Sequence, residues 1–147
     1  MKDLEGLYDL GIKIARKAHK GQYRHDGVTA YIKHPFELAD MFEDMTDKTI
    51  AILHDALEDG EFQGVTEDYI KDAITRAGYA DHIPYIIGGL RALTHDDADT
   101  YREYVDAIPP RYIKFKIGDI TINLADSPTD YQKEKYKKAI KLLLGKI

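Results

Sequence analysis

The chain has no cysteine, which excludes disulfides and thiolate metal sites and fits a reducing compartment. No apolar run approaches the ~20 residues that a membrane-spanning helix requires. The N-terminus, Met1-Lys2-Asp3-Leu4-Glu5, is charged and lacks the apolar stretch of a signal peptide, so a cytoplasmic setting without membrane association is expected. There is no basic excess: 21 Lys and Arg stand against 26 Asp and Glu, a formal net charge of -5. General nucleic-acid binding is therefore disfavoured. A small anionic substrate stays open, because a metal ion and a few focused cations can reverse the sign locally. Linkers, internal repeats, low-complexity stretches and period-two β-branched runs are also missing.

What is present reads as helix after helix. A length of 147 residues suits one domain around one core, and 44% hydrophobic with 32% charged residues is ordinary for a globular chain. Leu7, Leu10, Ile14, Ala15 and Ala18 recur at helical spacing and predict a helix over 3–20. The stretch 21–33, with Gly21, Gly27 and Arg24-His25-Asp26, predicts a loop. Pro35 suits a helical first turn, so a helix is expected over 35–45. Thr46-Asp47 can cap the next helix, ending near Gly60. Thr66 opens another that Gly78 ends. Further helices are expected over 80–93, 99–107 and 109–124, and from Pro128-Thr129 to Gly145. The expected fold class is all-α: a compact single-domain bundle, 1–147, of about seven or eight helices.

The chemically loaded segment is Ala51-Ile52-Leu53-His54-Asp55-Ala56-Leu57-Glu58-Asp59. On a continuous helix, residues three and four apart share a face, so His54, Asp55, Glu58 and Asp59 would line one side. Ile52, Leu53, Ala56 and Leu57 would bury the other. Mixed nitrogen and oxygen donors suit a divalent transition metal, and spare carboxylates suit proton transfer. A solvated helical face carries such groups too, so the segment needs support from the rest of the chain.

That support comes from three further words: Ala18-His19-Lys20-Gly21-Gln22-Tyr23-Arg24-His25-Asp26-Gly27, Tyr31-Ile32-Lys33-His34-Pro35, and Lys116-Ile117-Gly118-Asp119-Ile120-Thr121-Ile122-Asn123-Leu124. The ordered set His, His-Asp, Asp resembles the HD-domain metal-dependent phosphohydrolases. The flanking words resemble one branch, the (p)ppGpp hydrolase domain of Rel/SpoT alarmone enzymes and the small stand-alone alarmone hydrolases. The likeness runs from about Leu7 to about Leu143.

The resemblance implies an HD-type helical bundle with His34, His54, Asp55 and Asp119 as metal ligands. Mn²⁺ is the implied ion, with Mg²⁺, Fe²⁺ and Zn²⁺ also open. The ion would activate a water toward the phosphorus bonded to the leaving 3′-oxygen. Glu58 and Asp59 are implied as the acid–base pair; as neighbouring carboxylates they titrate together and receive no separate roles. Arg24 occupies the place of an Arg near the nucleotide base, and Asn123 that of an Asn near ribose or phosphate. His25 and His95 are the remaining candidates for substrate contact, each standing where the family commonly has Lys. Lys135 and Tyr136 could border the same pocket.

The chain departs from the pattern in other places. Ile120 replaces an Arg after Asp119, Ala125 replaces a second Arg, and Asp126 takes a small hydroxyl position. These changes remove positive charge where a nucleotide would bind and leave the metal set intact. The expected function is hydrolysis of (p)ppGpp to GDP or GTP and pyrophosphate. One alternative is the same chemistry on another nucleotide, such as the 2′-phosphate of NADPH or a nucleoside monophosphate. Another is a non-catalytic nucleotide-binding module.

Overall fold

The structure, a computed structural model, describes residues 3–147; Met1 and Lys2, and with them the start of the N-terminal segment read above, lie outside the described residues. The expected all-α class holds. Among the described residues there are nine α-helical segments, one of them a single turn, and the only β feature is an isolated bridge between Tyr23 and Ala30. The chain packs as two compact units, Met1–Thr94 and His95–Ile147.

The first unit contains α1 (Glu5–Ala18), α2 (Lys33–Ala39), α3 (Met45–Leu53), the single turn α4 (Ala56–Asp59), α5 (Glu67–Arg76) and α6 (Ile83–Ala92). Its centre is α3. Ile50, Ala51, Ile52 and Leu53 are all fully buried, so the second half of this helix is apolar all round and must be covered on several sides. It packs against α1, α2 and α6. Gly11 allows the α1 contact: a Cβ there would stand 3.0 Å from Ile52 Cγ2 and 3.2 Å from Thr49 Cγ2. Polar ties supplement the packing. Lys48 Nζ donates to Ala39 O at 3.0 Å, answering a carbonyl at the end of α2. Tyr85 on α6 donates to Asp47 Oδ1 at 2.7 Å.

The second unit contains α7 (Tyr101–Asp106), α8 (Ile113–Leu124) and α9 (Asp130–Leu144). Thr100 with Glu103, and Thr129 with Gln132, form reciprocal capping boxes that start α7 and α9. Val105, Ile108, Tyr112, Phe115 and Leu143 are buried in this unit. Lys146 closes the end of the chain by donating to Ile108 O at 2.7 Å and to Asp106 O.

Several boundaries differ from the sequence reading. The second helix starts two residues earlier, at Lys33, and stops at Ala39. Beyond it, the backbone N–H groups of Met41 and Phe42 make i→i−3 bonds, to Leu38 O and Ala39 O. The cap of α3 is Asp44, which accepts from Asp47 N at 2.9 Å, and Thr46-Asp47 lie inside the helix. The largest difference is that the His-Asp helix is broken. Asp55 has φ -102° and ψ 1°, so α3 ends at Leu53 and α4 restarts at Ala56. The cause is local. Ala51 O accepts from His54 Nδ1 at 2.7 Å, at the position where an unbroken helix would bring the Asp55 N–H. A side-chain donor thus takes the place of a helical bond.

Candidate metal centre

The break in the helix builds the site. Because His54 Nδ1 faces a carbonyl oxygen, which can only accept, Nδ1 carries the proton and donates. The ring is thereby fixed with Nε2 turned toward Asp55, 3.0 Å from Oδ2. His34, in the first turn of α2, brings its own Nε2 to 3.8 Å from the same oxygen. The two imidazoles stand 5.2 Å apart between ring centres, and the nitrogens they offer lie within 4.8 Å of each other. Both rings are buried, and the Asp55 side chain is 15% exposed.

This set fits a divalent cation. A neutral His54 presses a lone pair against a carboxylate oxygen at hydrogen-bond distance, and two acceptors so placed repel unless a proton or a cation stands with them. The hydrogen bond from His54 Nδ1 to Ala51 O is the kind of outer contact that fixes a ligating imidazole. His34, His54 and Asp55 therefore make a His/Asp group that could hold a metal ion.

A third contact was not read from the sequence. Tyr31 donates to Asp55 Oδ2 at 2.6 Å, and its ring lies 6.0 Å from His34 and 4.8 Å from His19. The signal was present, since Tyr31 opens the Tyr-Ile-Lys-His-Pro word. Its partner stands 24 positions away and only the fold supplies it.

Asp59 is half-buried at the end of α4, and Glu58 is exposed. Burial and the charge of Asp55 raise the Asp59 pKa, with His19 and His54 opposing. The two acidic groups of the expected pair thus have different surroundings.

Arg24 sits half-buried in the loop after α1, its guanidinium 5.9 Å from the centre of the Tyr31 ring. His25 beside it is exposed. The loop is held by Asp26, which accepts from Val28 N, Thr29 N and the Thr29 hydroxyl. Those bonds, the Thr29 hydroxyl first, hold its carboxyl at about 2.

In the second unit Asp119 is buried on α8 and Asn123 lies half-buried one turn later. Lys116 donates to Asp119 Oδ2 at 3.0 Å, with both side chains nearly buried. Burial opposes the Lys116 charge, but Asp119 and the neighbouring Tyr104 and Tyr101 outweigh it and raise its pKa. Lys116 also lies 5.1 Å from the Tyr104 ring centre. His95 donates through Nε2 to Asp99 O at 2.8 Å and stacks on Tyr104 at 4.8 Å. Lys135 caps the Tyr101 ring at 4.1 Å and lies 5.5 Å from that of Tyr136.

No protein-family model matches the chain, and no curated protein matches it in sequence. A solved structure does match. It is a metazoan ortholog of SpoT, described as hydrolysing ppGpp and playing a role in starvation responses. The match has a TM-score of 0.70 at 18% identity, covering 95% of this chain and 84% of that one. This chain has a SpoT-like fold. Within it, the SpoT-like fold sets His34, His54 and Asp55 together in the first unit and carries Asp119 and Asn123 on one helix of the second. No helix among the described residues is long and apolar enough to cross a membrane.

Proposed function

We propose that this chain is a metal-dependent hydrolase of (p)ppGpp, releasing the 3′-pyrophosphate as pyrophosphate and leaving GDP or GTP. The observation that carries the reading is the buried His34–His54–Asp55 cluster, with its tautomer-fixing bond to Ala51 O, on a SpoT-like fold. Residues 1–147 are taken to work as one domain in the cytoplasm.

His34, His54 and Asp55 are assigned as ligands, with Asp119 as the fourth, and Mn²⁺ as the ion. Such an ion supplies Lewis acidity toward phosphate and water. Tyr31 holds Asp55 in place through its hydroxyl. Glu58 and Asp59 share acid–base work, removing a proton from the attacking water and returning one to the leaving 3′-oxygen. Burial, and after it the charge of Asp55, raises the Asp59 pKa, which is in keeping with a part in proton transfer. Arg24 and Asn123 are assigned to the nucleotide, with His25 and His95 as weaker contacts.

One observation favours a second reading, in which the same chemistry acts on another phosphorylated nucleotide such as NADPH or a nucleoside monophosphate. His95 stands where the related word has Lys, and its Nε2 is committed to Asp99 O.

The test is incubation of the purified protein with Mn²⁺ and ppGpp, resolving products by ion exchange, with Glu58→Gln and Asp55→Ala alongside. Appearance of GDP and pyrophosphate, lost in both variants, is the expected result. Metal binding without turnover of ppGpp would sink the alarmone reading, and the same assay on NADPH and nucleoside monophosphates decides the second one. Binding without turnover of any nucleotide would point to a regulatory module.

A further inference from the structure

His19 and Gln22 belong to neither the ligand set nor the acid–base pair, yet they hold a member of that pair. α1 ends at Ala18, and His19, 4% exposed, follows as its cap. Gln22 Nε2 lies 3.1 Å from Ala18 O and 2.7 Å from Asp59 O. Both partners are carbonyl oxygens, so this end of the amide is its NH₂. The other end, Oε1, stands 2.9 Å from His19 Nδ1, which therefore carries the proton and donates. One amide group thus answers the terminal carbonyls of two helices, and one imidazole fixes which way that amide faces. His19 Nε2 is buried with no hydrogen-bond partner among the described residues. Burial lowers the His19 pKa, which disfavours the charged ring.

The same corner is closed by Gly60. A Cβ there would stand 2.5 Å from Ala56 O, 2.8 Å from Ala18 Cβ and 3.0 Å from Val65 Cβ. Its φ is -94°, so proximity and not backbone conformation calls for glycine. The ends of α1 and α4 therefore meet at close range. α4 is only four residues long, too short to hold itself by helical bonds. Its orientation, and with it the Asp59 side chain, depends on what grips its end.

We propose that His19 and Gln22 are positioning residues, a clamp that sets Asp59 through its backbone for proton transfer. The proposal rests on the reading of Asp59 as part of the acid–base pair. The clamp acts on geometry: a displacement of about 1 Å at a reacting group can cost roughly 100-fold in rate.

The experiment measures steady-state ppGpp hydrolysis with Mn²⁺ for wild type, Gln22→Glu, His19→Leu, His19→Asn and the double variant His19→Leu/Gln22→Glu. It also determines the His19 tautomer in the folded wild type by ¹⁵N NMR. Gln22→Glu keeps the shape but sets an oxygen against Asp59 O. Asn at 19 keeps a donor where Nδ1 was, and Leu removes it. The expected result is a fall in kcat of about 10- to 100-fold for Gln22→Glu and His19→Leu, with KM and Mn²⁺ affinity within about twofold. His19→Asn recovers most of the loss, and the double variant is no worse than the poorer single one. If Gln22→Glu does not fold, the Leu and Asn variants at 19 decide. Unchanged kcat in an active enzyme, or a His19 protonated on Nε2, overturns the clamp alone. A wild type that turns over no phosphorylated nucleotide overturns the proposed function and with it the purpose of the clamp.

Discussion

Tyr31 donates its phenolic hydrogen to Asp55 Oδ2 at 2.6 Å, and that oxygen is the one both imidazoles face. The phenol spreads the charge of the carboxylate and fixes its rotamer without competing as a ligand. Outer contacts of this kind typically cost about 10- to 100-fold in metal affinity or activity when removed. Tyr31→Phe is therefore expected to weaken Mn²⁺ binding by about that factor while the fold is retained. Isothermal titration with Mn²⁺ checks it, and an unchanged affinity would remove Tyr31 from the site.

Metal binding should also appear as stability. An ion that binds only the folded chain stabilises it by about 2.7 kcal/mol at a hundredfold excess over Kd, a rise in Tm of roughly 5–10 °C for a protein of this size. Thermal melts with and without Mn²⁺ are expected to show that shift, and EDTA should reverse it. Asp55→Ala and His54→Ala should melt at one temperature in either condition. A shift that survives both substitutions would place the ion elsewhere.

Glu67 at the start of α5 pairs with Arg91 on α6 through two bonds, of 2.5 and 2.7 Å. The Arg91 hydrogen bond holds the Glu67 carboxyl at about 2 against an ordinary 4.5. A carboxylate whose pKa is lowered by folding stabilises the native state above its unfolded pKa, and that contribution fades as pH falls through the folded one. The contribution should be complete above about pH 5 and gone near pH 2. The pair is open to solvent and screened, so losing it costs only a small deficit in stability. Urea melts of Arg91→Ala should show that deficit at pH 7 and none at pH 2; an equal deficit at both would mean that packing, not charge, was lost.

Gly60→Ala is expected to destabilise the protein by about 1–3 kcal/mol, the usual range for an overpacked site. The added methyl meets Ala56 O and two side-chain Cβ atoms at 3.0 Å or less, and none of these is the end of a flexible group. Chemical denaturation measures it. A neutral result would mean that the ends of α1 and α4 can separate freely.

Much of the helical order could be read from the chain because its signals are local. Thr66 and Thr129 cap the helices they were expected to start, and Gly78 and Gly145 follow the helices they were expected to end. The apolar spacing of Leu7, Ile14, Ala15 and Ala18 marks the buried face of α1. Such features depend on neighbours within a turn, and residue type alone encodes them. His34, His54 and Asp55 stood out for a related reason: few side chains can bind a metal, so their types and order are informative without coordinates.

What the tertiary structure decided lies between segments far apart in the chain or rests on three-dimensional competition. Helical spacing put His54, Asp55, Glu58 and Asp59 on one continuous strip. The fold instead breaks the helix, because the His54 ring reaches Ala51 O and takes the place of a backbone donor. The Tyr31 grip on Asp55 and the Gln22 grip on Asp59 span 24 and 37 positions. No period or motif links such residues. Their pairing is set only when α1 and α2 pack on α3 and α4 packs on α1, and burial then makes each unmet polar atom costly enough to select its partner.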